Sequence, residues 1–184
     1  MYINQLNSPI GDVFFKYITE FGSFLTIGPI LAVLLFIRYR FALIASISSL
    51  LSLIFVQIGK RLVWVDSPRP SVFLNEISEA HFVKGVHLHT THSFPSGHTA
   101  GAFALFFALV LFVKNPIWKL LFLLMAFLVG YSRMYLSQHF LIDVTVGGLL
   151  GILSAVLAFV WMNNTTWSKK TCLNASLSDL FKRS

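Results

Sequence analysis

Ser132-Arg133, then His139 after five intervening residues, then Asp143 after three more, stand between two long apolar runs. An ionisable side chain at the edge of an apolar span is costly to desolvate, so its presence there points to function. His139 and Asp143 are four positions apart, which on a helix brings both side chains to one face. The carboxylate can then hold one imidazole nitrogen and leave the other free to react. Arg133 adds a planar fork of donors suited to phosphate. Two more polar clusters precede this one: Lys60-Arg61 with Arg69-Pro70, and Pro95-Ser96-Gly97-His98. Fixed cations, a glycine-opened helix start and two histidines together make an anion pocket with an acid and a nucleophile, which is what phosphoryl transfer requires.

The rest of the chain reads as the scaffold for these residues. It has 184 residues, 56% hydrophobic and 11% charged, with a positive mean hydropathy. That composition argues against a soluble domain and for an all-α, integral membrane helical bundle. The net charge of +7 does not imply nucleic acid, because the basic residues flank apolar segments instead of forming a basic surface. Cys172, the only cysteine, has no partner for an internal disulfide. Residues 1–20 lack the pattern of a cleaved signal peptide, so the first span is expected to direct insertion.

Apolar residues recur at helical spacing over 8–20, predicting an amphipathic helix at the membrane surface. Five apolar spans are then predicted, over 21–37, 41–59, 95–113, 117–132 and 139–162. Residues 68–91 form a long polar excursion carrying Glu76, Glu79, His81, Lys84, His87 and His89. Gly147 and Gly151 form a small-xxx-small pair that lets another helix approach closely. Residues 1–166 are expected to be one membrane domain and 167–184 a polar cytoplasmic tail, partly disordered.

With five spans, Lys60, Arg61, Arg69, Ser96, His98, Arg133, His139 and Asp143 all fall at one face of the membrane. The opposite face receives Arg38, Arg40, Lys114, Lys119 and the four basic residues of the tail, eight of the fourteen. The positive-inside rule makes that face cytoplasmic and puts the polar clusters outside, on the periplasmic face if the cell is bacterial.

The three clusters carry a resemblance to the type 2 phosphatidic acid phosphatases, which share a site with bacterial acid phosphatases and vanadium haloperoxidases. The pattern of that family is K-x6-R-P, then P-S-G-H, then S-R-x5-H-x3-D. The second block is Pro95-Ser96-Gly97-His98 and the third runs from Ser132-Arg133 through His139 to Asp143, both intact. The first departs: Leu62 occupies the lysine position before Arg69-Pro70, and the nearest cations are Lys60 and Arg61. Two extra residues in the connecting turn would let Lys60 take the role, with Arg61 as its rival.

The resemblance implies that His139 is a nucleophile passing through a phosphohistidine, oriented by Asp143, and that His98 is the general acid and then the base that activates water. Lys60, Arg69 and Arg133 would bind the phosphate with the Ser96 hydroxyl and the Gly97 amide, and no metal or other cofactor is implied. The substrate implied is a lipid phosphomonoester or diphosphate, of the undecaprenyl diphosphate, phosphatidylglycerophosphate, phosphatidate or lipid A phosphate class. Two other readings stay open on the sequence: a lipid phosphotransferase using the same site, and a non-catalytic lipid- or anion-binding membrane protein.

Overall fold

The computed structural model describes residues 2–74, 80–165 and 171–181. Glu76 and Glu79 of the polar excursion, and the tail cations Lys169, Lys170, Lys182 and Arg183, lie outside the described residues. The described residues fold without strands, around six longer helices: α1 Pro9–Ile18, α2 Phe24–Ile37, α3 Tyr39–Ile58, α4 Gly97–Phe112, α5 Pro116–Tyr135 and α6 Leu141–Asn164.

Local chemistry starts several of them. Ser8 Oγ accepts from Gly11 N at 3.1 Å ahead of α1, and Asn115 Oδ1 accepts from Ile117 N at 2.8 Å ahead of α5. Each cap satisfies one of the amides that a helix start leaves without a partner. Proline follows both caps, where its missing N–H costs nothing.

Helices α3, α5 and α6 are long and apolar enough to cross a bilayer, α3 running on through a π-turn as Tyr39–Val63. The segment expected as a surface helix and a first span is a pair of helices with a sharp bend between them. Pro9–Gly22 and Phe24–Ile37 meet at 55° and pass the same test only together. Helix α1 still has the predicted two-sided character. Phe15 packs on Tyr135 of α5, ring centroids 4.5 Å apart, while Ile10, Val13 and Tyr17 are exposed as a lipid-facing side would be.

Helix α4, expected as the third span, has only 16 residues, about 24 Å at the helical rise. It runs through the middle of the bundle, with Ala100, Ala102, Phe103, Ala104, Leu105, Phe106 and Ala108 buried. Enclosed by protein, it need not match the roughly 30 Å of hydrocarbon that a lipid-facing helix must cross. Close approach of α6 makes this enclosure possible. A Cβ at Gly147 would lie 2.6 Å from Ser96 O, and one at Gly151 2.5 Å from Ala100 O, so the glycine pair is the contact surface.

The expected polar tail is folded where it is described. Tyr39 N donates to Ala175 O at 3.0 Å and Ser178 Oγ to Phe36 O at 2.8 Å, so this segment closes the end of the bundle away from the histidines.

Candidate active site

The chain doubles back between α5 and α6 within a few residues. Ser137 takes a left-handed conformation with φ 56°, and the amides of Gln138 and His139 both donate to Arg133 O, at 2.9 and 3.2 Å. That turn carries His139 to the start of α6, where Asp143 lies in the first helical turn. Asp143 is 2% exposed. Its Oδ2 accepts from Phe140 N at 3.0 Å, lies 3.3 Å from His139 Nδ1, and accepts from Ser93 Oγ. A carboxylate so held, at a helix N-terminus, is stabilised in its charged form. Such a carboxylate favours a proton on His139 Nδ1, the tautomer in which Nε2 carries a lone pair.

Nε2 faces Arg69, whose Nη1 is 3.5 Å away. Burial is the main cause that lowers the pKa of His139; the Asp143 bond opposes it, and Arg133, Arg69 and Lys60 add to it. The ring is therefore neutral, as a nitrogen nucleophile must be.

The polar excursion holds the cations mainly with its backbone. Arg69 Nε donates to Thr91 O at 2.9 Å, its Nη1 to Gln138 Oε1 at 3.1 Å, and Lys60 Nζ to His92 O at 2.7 Å. The structure separates Lys60 from its rival. Lys60 lies within electrostatic reach of Arg69, Arg133 and Asp143, whereas Arg61 is exposed. The π-turn at Gly59–Val63 gives the physical reason: a wider turn takes up extra residue length, so a longer spacing still directs the lysine inward.

His98, in the first turn of α4, interacts electrostatically with Arg133, His139, Lys60 and Arg69, so both motif histidines stand at one end of the bundle. A cleft of about 220 Å³ opens over it, lined by Arg133, Gln138, His87, His89 and Lys16 among others. Arg133 is buried. Its Nη1 donates to Thr19 Oγ1 at 2.7 Å, and its Nε has no hydrogen-bond partner among the described residues. A buried N–H of a charged group without a partner is costly, and an anion in the cleft would remove that cost.

Ser96 is 0% exposed; its Oγ pairs with Thr99 Oγ1 at 2.9 Å and caps α4 through Thr99 N, and Gly97 is the first residue of that helix. Among the described residues, no three His, Cys, Asp or Glu side chains are grouped to hold a metal ion.

Ser93 and Gln138 were missed on the sequence. Ser93 bridges Asp143 and His139, and Gln138 supports Arg69 while its Nε2 donates to His87 O at 3.0 Å. Neither fits a spacing rule, since the first lies on a loop distant in sequence from its partners.

Residues 23–167 match the family model described as PAP2 superfamily. LpxE of Aquifex aeolicus superposes with a TM-score of 0.76 at 30% identity, over 86% of this chain and 91% of that one. A transmembrane PAP2 type phosphatidylglycerolphosphate phosphatase from Bacillus subtilis superposes at 0.72 and 22% identity, over 90% of this chain and 83% of that one, a likeness of fold. A curated relative, the bacitracin transport permease protein BcrC of Bacillus licheniformis, is 46% identical over 68 residues, 37% of this chain. The matched stretch spans about a third of that relative's length, 32%.

Proposed function

Because this chain belongs to the PAP2 superfamily, we propose that it is a membrane lipid phosphatase that hydrolyses a lipid phosphomonoester or diphosphate through a phosphohistidine, without a metal. The observation that carries the reading is His139: Nδ1 is engaged by Asp143, and Nε2 is turned to the Arg69 guanidinium. A phosphate drawn in by Lys60, Arg69 and Arg133 would present its phosphorus to that lone pair. Its oxygens would replace the longest contacts of Arg69, those to His139 Nε2 at 3.5 Å and to His92 O at 3.4 Å. The P–O bond to the lipid breaks as the Nε2–P bond forms, and His98 protonates the departing oxygen. His98 then takes a proton from the water that attacks phosphohistidine, and inorganic phosphate leaves. Fixed cations stabilise the charge of both steps.

The domain extends over 1–166 with 167–184 as a cytoplasmic tail, and the site faces away from the cytoplasm. The excess of basic residues at the other end supports that orientation. A site at one end of the bundle, level with headgroups, suits a lipid whose tail stays in the bilayer.

Purified protein in detergent should release inorganic phosphate from at least one of prenyl diphosphate, phosphatidylglycerophosphate, phosphatidate and lipid A phosphate, with EDTA leaving the rate unaltered. Loss of activity in EDTA with recovery on added zinc would contradict the metal-free mechanism. Labelled phosphate appearing on a second lipid and not as free phosphate would favour the phosphotransferase reading.

The two cations of the first cluster give a sharper test. Lys60→Ala should lower kcat/KM by about 10²- to 10³-fold, the scale of removing one donor to developing charge. Arg61→Ala should change it by no more than about threefold, as for an exposed side chain.

A further inference from the structure

Three basic groups outside the motif residues share the cleft with His98 and Arg133: Lys16 of α1, and His87 and His89 of the polar excursion. We propose that Lys16, His87 and His89 form a second phosphate subsite, making the preferred substrate a lipid diphosphate whose terminal phosphate lies at His139 and whose inner phosphate lies here. The proposal rests on the phosphatase reading above and adds to it the class of headgroup.

A shared cleft favours two directly linked phosphates. Lys16, His87 and His89 line the same cleft as His98 and Arg133, so a phosphate joined through one oxygen to the one that Arg133 holds would meet them.

The subsite is also held in place. Lys16 Nζ donates to Lys84 O at 3.2 Å. Gly85 has φ +75°, and a Cβ there would lie 2.7 Å from Lys16 Nζ, so the loop leaves room for this ammonium where a side chain would displace it. The backbones of both histidines are pinned, His87 O by Gln138 Nε2 at 3.0 Å and His89 O by Ser71 Oγ at 2.8 Å. Their rings lie side by side with centroids 4.6 Å apart. Burial and then the charge of Arg69 lower the pKa of His89, with His87, Arg133 and Lys60 adding, as expected for a group in the field of the catalytic cations. A bound anion would reverse that repulsion. Glu20 is the acidic group that lines the cleft with them.

The chemistry balances without a co-reactant other than water. His139 Nε2 bonds to the terminal phosphorus, the bond from that phosphorus to the bridging oxygen breaks, and His98, which lines the same cleft, gives its proton to that oxygen. The lipid monophosphate leaves from the subsite, where Lys16 and the imidazoles stabilise its charge. Water then releases inorganic phosphate from His139 and returns a proton to His98.

The test compares farnesyl diphosphate with farnesyl monophosphate, which share one tail, using the full chain in detergent and reading phosphate release. Unaltered protein should prefer the diphosphate in kcat/KM by at least about tenfold, as expected for added charge-assisted contacts. That ratio should fall by at least about tenfold in Lys16→Met and in the His87→Ala, His89→Ala double variant, and survive in Lys16→Arg. Hydrolysis of the monophosphate by each variant shows that it is folded. Preference for the monophosphate in unaltered protein, or a ratio that the variants leave alone, would overturn the proposal. So would a faster reaction with phosphatidylglycerophosphate that is lost in the same variants. Absence of His139-dependent release from every lipid phosphate would overturn the phosphatase reading itself.

Discussion

Alanine in place of His139 is expected to lower phosphate release by several orders of magnitude, on the order of 10⁴-fold or more, as for other covalent nucleophiles. No neighbour can substitute. The Nε2 lone pair turned to Arg69 belongs to this residue, and His98 sits on a different helix, α4. A brief incubation with radiolabelled lipid phosphate, followed by alkaline quench, should leave acid-labile label on unaltered protein and none on His139→Ala. His98→Ala separates the two steps. With an aryl phosphate, whose leaving oxygen needs no proton, it should still acquire label but should lose it slowly, because the water that attacks phosphohistidine then lacks its base. Full turnover by His139→Ala would rule out the phosphohistidine route.

Much of this was legible in the residues, because span-forming runs and charges inside them are costly signals that few other arrangements explain. The apolar segments around Ala45, Phe103, Val129 and Ala155 do form helices around one core. The order of the polar clusters along alternating spans was enough to gather Lys60, Arg69, His98, Arg133 and His139 at one end. The glycine pair at 147 and 151 likewise marks the close approach of α4 and α6.

What could not be read has several physical causes. The excursion and the residue after it position the site through their backbone: Thr91 O, His92 O and His87 O accept from Arg69, Lys60 and Gln138. Every residue type has a carbonyl, so a backbone cradle leaves no mark in composition or spacing. Ser96 shows the converse: a hydroxyl next to a histidine reads equally as ligand or helix cap, and its 2.9 Å contact with Thr99 is not legible from the motif. The length of α4 was overestimated for a third reason, since hydropathy does not distinguish a helix facing lipid from one enclosed by others.

Asp143→Asn is expected to produce the second largest loss, about 10²- to 10⁴-fold in kcat, with little change in KM. An amide matches the carboxylate in shape, so the fold should persist, but Ser93, His139 and Phe140 all meet the one oxygen Oδ2, which the exchange leaves without its charge. Phe140 N, at 3.0 Å, must keep an acceptor because it heads α6. Ser93 Oγ also donates to the same oxygen. If the amide oxygen stays with these donors, the charge that favours a proton on His139 Nδ1 is gone. A neutral oxygen 3.3 Å from Nδ1 holds that proton more weakly, so the imidazole spends more of its time as the wrong tautomer, with Nε2 protonated; the same exchange in a serine protease triad costs about 10⁴-fold. Ser93→Ala isolates the other contribution, since it removes one donor and leaves the charge, and should cost about 10-fold or less. The two variants therefore rank the charge against its support. Equal losses would mean that Asp143 serves chiefly to cap α6, and nitrogen-15 shifts of the His139 ring would then show the same tautomer in both proteins.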